Sequence, residues 1–448
     1  MDSEHLILLH LSDIHFKCLL PHFDVDLELR NELETSASTL AKKLGHVDGI
    51  LVTGDVAFGG KEEEYKIAEE WLSRLSLLVG CEKENVWLVP GNHDVDWQVI
   101  EKSKMIKAAH TELGTTDIKK IDKALLEYLS DSDAQELMFR PINNFNTFAF
   151  KFGQNPMNHE KLYWEDELVL NDGSVVILRG LNSTIISDET DKLRQKVILS
   201  VYQTIFRDDP GRTYVTLCHH PPQWLRDEDA TEDCLTAHVP IQLFGHKHRQ
   251  RIRRIDNTLR LSAGAVHPSR PDVDWEPTYN YIALKAETRG NQRLLNVEVW
   301  TQVWNKGSRK FEPRHDNTDG KEYHHYELPL KPWQAPTASL SHRGSSPDVS
   351  QKPAHESVSI ATKRIDSAMD PKRKLIYRLF SLPYHQIIEI AVTLNLLTDD
   401  DNVQQFELYK RIFDRAEASK QLDKLWDIVN YYYPAEKLPN PFSPREKE

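Results

Sequence analysis

Cysteine is scarce in this chain. Four occur in 448 residues, Cys18, Cys81, Cys218 and Cys234, and no two form a Cys-x-x-Cys pair. That scatter fits reduced, structural thiols in a reducing compartment. Long apolar runs are missing too: none approaches the ~20 residues that span a bilayer, which argues against a transmembrane helix. The chain opens with Asp2, Glu4 and a short apolar run, without the basic region and small-residue cleavage site of a signal peptide. A cytoplasmic protein with no membrane partner is therefore expected. Positive charge is the minority sign, 56 Lys and Arg against 69 Asp and Glu, for a formal net charge of -13. Such a balance argues against a surface that coats nucleic acid generally, while leaving room for a local basic patch.

The composition that remains is soluble and globular, 39% hydrophobic and 28% charged, at a length that suggests two or three domains. Through residues 5–305, short apolar runs alternate with longer helical stretches. The runs at 6–11, 50–53, 86–89, 175–178, 214–217 and 241–244 lack strict alternation, as strands buried on both faces do. Residues 28–44 and 62–79 are helical candidates, and the whole predicts a layered α/β architecture. Residues 98–165 interrupt the pattern with helical segments such as 118–128 and the aromatics Phe145, Phe148, Phe150 and Phe152; they read as an insertion or cap beside the site. A flexible linker is expected over residues 331–368, where Ser, Pro and His abound and periodicity is weak.

The block 369–435 is predicted to be four short amphipathic helices. Asp370 and Pro371 form an N-cap pair. One helical face collects Ile387, Ile390, Ala391 and Leu394, a second Phe406, Tyr409 and Phe413, a third Leu422, Leu425, Trp426 and Val429. Residues 436–448 are expected to be a disordered tail.

Five polar motifs follow five of the apolar runs: Asp13-Ile14-His15, Gly54-Asp55, Gly91-Asn92-His93-Asp94, His219-His220-Pro221-Pro222 and Gly245-His246-Lys247-His248. Each sits at the C-terminal end of a predicted strand, the edge where open α/β sheets bind ligands. Carboxylate, imidazole and amide oxygen together suit Mn, Fe or Zn. In Asp-x-His and His-x-His, alternate residues of an extended segment would face one side. A two-metal site needs a bridging carboxylate, for which Asp55 is the natural candidate. Gly54, Gly91 and Gly245 would let the backbone turn beside it. Any one of these motifs alone is commonplace; five in order, each after a strand, are not.

This set resembles the calcineurin-like metallophosphoesterase superfamily over roughly residues 5–305, and its wording is most similar to bacterial members near the cyclic-nucleotide phosphodiesterase branch. The resemblance implies a four-layer metallophosphoesterase β-sandwich flanked by helices within residues 1–330. It also implies two divalent metal ions: Asp13, His15 and His248 on one, Asn92, His219 and His246 on the other, and Asp55 bridging. The reaction expected is phosphoester hydrolysis by a metal-activated hydroxide. His93 is placed to protonate the leaving oxygen, and Asp94 to orient His93.

The run from Lys247 to Arg254 bears on substrate. As a continuing strand it would put Lys247, Arg249, Arg251 and Arg253 on one face beside the metals, suited to a polyanion such as nucleic acid or a nucleotide. For Arg251 and Arg253 an edge strand guarded by charge is the favoured account. Arg249, His220, His267 and Arg270 are candidate substrate contacts. Trp97 and Trp224 could stack on a base, although tryptophans more often pack in cores. The tail, through Tyr377-Arg378-Leu379-Phe380, Leu394-Asn395-Leu396 and Leu425-Trp426-Asp427-Ile428-Val429, is similar to the death-like effector-associated domains of bacterial conflict systems. That implies recruitment to a protein partner carrying a matching domain. The favoured expectation is a phosphodiesterase, an effector in antiphage defence. A phosphomonoesterase and a metal-stabilised scaffold are the alternatives.

Overall fold

The computed structural model describes residues 5–18, 26–188, 191, 194–266, 276–316, 318, 320–334, 371–380, 382, 384–398, 405–431 and 439–442. The chain divides into two compact units, Met1–Ser339 and Leu340–Glu448. Among the described residues no helix is long and apolar enough to cross a membrane. The expected linker and the end of the tail lie almost entirely outside the described residues.

The large unit is built on two sheets. The first joins parallel strands β1 (Leu6–Leu11), β2 (Gly49–Val52) and β3 (Val86–Leu88) to a later antiparallel pair, Thr278–Arg289 and Gln292–Asn305. The second has β4 (Tyr163–Val169), β5 (Val175–Leu181), β6 (Arg212–Cys218), β7 (Ile241–Phe244), β8 (Arg251–Ile255) and β9 (Thr258–Ser262), in the order β4-β5-β6-β7-β9-β8. Strands β5, β6, β7 and β9 run parallel.

Period-two alternation explains the layering. In β1, Ile7, Leu9 and Leu11 enter a core shared with helices α1 (Leu27–Leu44) and α2 (Glu62–Val79), while Leu6 and Leu8 face the other way. Leu8 joins Val176, Leu178, Val215, Leu217, Ile241 and Leu243 in a core between the two sheets. The opposite faces of those strands, Ile177, Tyr214 and Phe244, meet Leu235 of the helix Glu228–His238 in a third core. Helix, sheet, sheet, helix is the expected four-layer sandwich.

Helix α2 shows why such elements form where they do. Glu62, Glu63 and Glu64 favour its positive N-terminal end, and Glu64 Oε2 accepts the Gly59 and Lys61 N–H groups. Tyr65, Ala68, Trp71, Leu72, Leu75 and Val79 fall on one buried face, and Gly80 ends the helix in the left-handed region at φ 73°. The insertion is helical, as expected, from Trp97–Lys102 to Asn143–Phe150. Phe145, Phe148 and Phe152 lie in the α2 core, with Phe148 stacked on Tyr65 at 4.9 Å, whereas Phe150 is exposed.

The basic run does not continue as one strand. Residues 245–250 bend, β8 begins only at Arg251, and it lies at the sheet edge. Lys247 and Arg249 therefore do not share a strand face with Arg251 and Arg253.

The small unit has four helices among the described residues, α3 (Pro371–Phe380), α4 (Tyr384–Thr393), α5 (Gln405–Ala418) and α6 (Leu422–Tyr431). Leu375, Leu379, Ile387, Ile390, Ala391, Ile412, Phe413, Leu425, Trp426 and Val429 form its own core.

Candidate metal centre

Five strand ends meet at one edge of the sandwich. Three come from the first sheet (β1, β2, β3) and two from the second (β6, β7), so the rim spans both sheets. Backbone hydrogen bonds lock the loops: Asp13 N–H donates to Gly54 O at 3.0 Å and His15 N–H to Asp55 O at 2.9 Å. The second sheet is tied in by His219, whose Nδ1 donates to Thr53 O at 2.8 Å, and by Gly245 N–H to His219 O at 3.1 Å.

The donor residues are not extended, contrary to the expected geometry. Asp13, His15, Asp55, His246 and His248 all take left-handed φ values, 50° to 68°. The chain turns sharply as it leaves each strand, and that turn aims the side chains inward. L-residues adopt this region at a cost, and such residues cluster at functional sites. Among the three glycines expected to matter, Gly54 alone has positive φ, 90°. Gly91 and Gly245 serve closeness instead: a Cβ at Gly91 would collide with the Asp55 carboxylate, and one at Gly245 with Ser12 Oγ and Thr53 O.

Seven donor side chains converge in two groups. In the first, His248 Nε2 is 3.3 Å from Asp13 Oδ1 and 3.4 Å from His15 Nε2, and His15 Nε2 is 3.6 Å from Asp55 Oδ2. In the second, Asn92 Oδ1 is 3.1 Å from His219 Nε2 and 3.0 Å from His246 Nδ1, with the two ring nitrogens 3.3 Å apart. His219 Nε2 is also 3.4 Å from Asp55 Oδ2. Asp55 Oδ2 thus belongs to both groups.

Ligand atoms about 2.1 Å from one ion sit roughly 3.0–3.4 Å apart in octahedral or tetrahedral arrangement. Nitrogen facing nitrogen, with carboxylate and amide oxygens alongside, is a donor set that fits divalent cations. The residues present therefore fit a pair of metal ions. The electrostatics divide the donors. Burial pushes the Asp13 carboxyl up, but the His248 hydrogen bond and the His248 and His219 charges overcome it and hold it at about 2. Asp55 is held well below the carboxylate range by His219, His93 and His15 against its burial. Burial lowers His15 and His246 to about 3, leaving neutral imidazoles with lone pairs to donate. Burial also disfavours charge on His219 and His248, but Asp55 beside the first and Asp13 beside the second overcome it and raise both to about 9. These two rings must each release a proton when a cation binds.

His93 stands beside this cluster, its ring 4.7 Å from that of His15. Its backbone N–H donates to Asp55 Oδ1 at 2.8 Å and its Nδ1 to Phe58 O at 2.7 Å. The orienting role expected of Asp94 falls to that carbonyl. Asp94 is fully buried and accepts from the N–H groups of Val56 (3.2 Å), Ala57 (2.9 Å) and Gly91 (2.9 Å) and from Tyr65 OH (2.9 Å). It staples the Asp55 loop to the Asn92 loop.

His220 is also fully buried, its Nδ1 2.8 Å from Ser183 Oγ and its ring 4.6 Å from that of His246. It has no exposed surface, and one of its ring nitrogens lies within 4.8 Å of ligand atoms of His219 and His246. Arg249 is exposed. His267 and Arg270 lie outside the described residues. Sequence reasoning missed Phe58, Ser183 and Tyr65. Ser183 follows the end of β5, so the strand-end rule could have found it; nothing local marks Tyr65, which sits in the first turn of α2.

Residues 6–250 match the calcineurin-like phosphoesterase family, and residues 371–431 match the GTPase-associated adaptor domain. An uncharacterized metallophosphoesterase-like protein, YydB, of Bacillus subtilis (strain 168) is 33% identical over 322 residues, 67% of this chain. The chain spans 61% of that relative's length. Among solved structures, a Vps29 mutant from Entamoeba histolytica aligns at 10% identity over 73% of this chain and 100% of its own, with a TM-score of 0.28. A putative 5'-nucleotidase from Staphylococcus aureus aligns at 11% identity over 73% of this chain and 54% of its own, with a TM-score of 0.33. Scores so low carry no activity across. The family match covers more than half of the chain and contains all seven converging donors: the chain belongs to the calcineurin-like phosphoesterase family, with a GTPase-associated adaptor domain at its C-terminal end.

Proposed function

We propose that this protein is a metal-dependent phosphodiesterase acting on nucleic-acid or nucleotide substrates. Two divalent ions, Mn in the first instance, would be held by Asp13, His15 and His248 and by Asn92, His219 and His246, with Asp55 common to both. The observation that carries this reading is Asp55 Oδ2, 3.6 Å from His15 Nε2 in one donor group and 3.4 Å from His219 Nε2 in the other. Bound there, paired divalent ions supply Lewis acidity toward phosphoryl oxygens and lower the pKa of a water toward neutrality.

The chain's own residues account for the rest. Asp55 Oδ1 holds the His93 backbone, so the carboxylate common to both groups also places the proton donor. The Phe58 carbonyl commits the Nδ1 proton and leaves Nε2 to hand a proton to the departing alkoxide. As hydroxide oxygen bonds to phosphorus, the other proton of the original water having gone to solvent, the ester P–O bond breaks and the His93 Nε2 proton ends on the leaving oxygen. Arg249 and Lys247 beside His248 favour an anionic substrate.

We further propose the domain plan 1–330 catalytic, 331–368 linker, 369–435 adaptor and 436–448 tail. The adaptor domain supports recruitment to a protein with a matching helical domain, and through it a role as an effector in antiphage defence. The full-length protein, given Mn and a panel of a monoester, a diester, cyclic nucleotides, DNA and RNA, is expected to cleave diesters. Cleavage of the monoester alone would make it a phosphomonoesterase. Binding of two Mn per chain with no hydrolysis at all would leave a scaffold.

A further inference from the structure

Aromatic rings paired with cations stand at both ends of the donor cluster. At the first group, the Phe58 ring lies 5.3 Å from His93 and 6.2 Å from His15, with Lys17 Nζ 4.2 Å from its centroid. The Trp97 ring is 5.7 Å from His93. Phe58 remains 45% exposed, although its neighbours Val56 and Ala57 are fully buried. At the second group, the Trp224 ring lies 4.9 Å from His246. The Arg194 guanidinium is 5.3 Å and Lys247 Nζ 5.0 Å from the Trp224 centroid, and Gln223 Oε1 accepts from Lys247 at 2.9 Å. Trp224 is half-buried and Arg194 exposed.

One such arrangement would be an ordinary amphipathic rim. Two, one against each donor group, match a ligand that is aromatic and anionic on both sides of its reacting centre. A π-face stacks on any base, and a neighbouring Lys or Arg neutralises the flanking phosphate. We propose that Phe58 with Lys17, and Trp224 with Arg194 and Lys247, are two base-stacking subsites. The preferred substrate is then an internal diester of a single-stranded oligonucleotide, with a nucleobase on either side of the scissile phosphate. A cyclic mononucleotide fills one subsite, and a duplex presents its bases paired and unavailable. This inference rests on the phosphodiesterase reading and narrows it.

The test uses the full-length protein with Phe58→Ala and Trp224→Ala, and with Phe58→Tyr and Trp224→Phe as controls that keep an aromatic face. Binding is read by anisotropy of a labelled hexathymidylate in EDTA; hydrolysis is read with Mn on a thymidine dinucleotide and on the methyl ester of thymidine 5'-phosphate. Each alanine variant is expected to weaken strand binding at least five-fold and to raise the dinucleotide KM more than it lowers kcat. The aromatic controls should recover most of both. The one-base ester should respond to only one of the two alanine changes. Strand affinities within two-fold of wild type in both alanine variants, or equal affinity for duplex and single strand, would overturn the subsites. A wild-type protein that binds the strand aromatic-dependently yet cleaves no diester would keep the subsites and sink the phosphodiesterase reading.

Discussion

Asp55 shows how much one side chain can carry. One oxygen lies within both donor groups and the other holds the His93 backbone. Asp55→Asn, which keeps the shape and removes the charge, is expected to lose Mn binding by calorimetry and at least ~10³-fold in kcat, while circular dichroism stays unchanged. His93→Gln should keep its metal content but drop kcat by roughly 10²–10⁴-fold, the usual worth of a proton donor; an unchanged kcat would remove His93 from the mechanism. Asp94 belongs to stability instead. Asp94→Ala strands three backbone N–H groups and the Tyr65 hydroxyl, so a loss on the order of 3–5 kcal/mol in urea unfolding is expected. The donor residues were legible in the sequence because the chemistry restricts residue types and the strands restrict their places. The partner of Asp94 was not, because a hydrogen bond across 38 residues leaves no local pattern.

At the level of elements, the buried parallel strands were legible to within a few residues, since burial on both faces leaves continuous apolar runs. What escaped was register: the basic run looks like one strand, but its left-handed turns through His246 and His248 delay β8 to the sheet edge. The insertion is fixed at the C-terminal end of one helix, Lys104–Thr115. Arg226 donates to the carbonyls of Leu113 (2.8 Å) and Thr116 (2.7 Å) at its C-terminal end, where a cation is favoured. Arg226→Ala should speed amide exchange in that helix by at least about ten-fold, with the β1–β3 amides unaffected. The same helix buries His110, whose ring nitrogens find no hydrogen-bond partner among the described residues. Burial lowers its pKa from 6.5 to about 4, partly offset by the Asp188 charge. The folded state therefore keeps His110 neutral while the unfolded chain protonates it as pH falls through 6.5. Stability is full above that value and declines toward pH 4, by about 2 kcal/mol at pH 5. His110→Leu should flatten this acid limb in urea midpoints compared at pH 7.5 and pH 5; an unchanged slope would place the acid sensitivity elsewhere.

On the scale of the whole molecule, the two units have separate cores, and among the described residues the small unit's core takes no member from the large one. Ligand-dependent stability should follow that division. In scanning calorimetry of the full chain, EDTA is expected to lower the transition of the large unit by several degrees and leave that of the small unit in place, because binding stabilises only what it touches. A common shift would mean that both unfold together. The left-handed backbone at five donor positions adds an evolutionary consequence. Glycine adopts that conformation without the side-chain penalty, so His248→Gly and Asp13→Gly gain back some of the backbone strain while discarding a donor. A population of variants selected for heat resistance alone would drift toward glycine at these turns, and a population selected for catalysis would be held away from it. The metal centre is thus the place where this protein's durability and its chemistry pull the same codons in opposite directions.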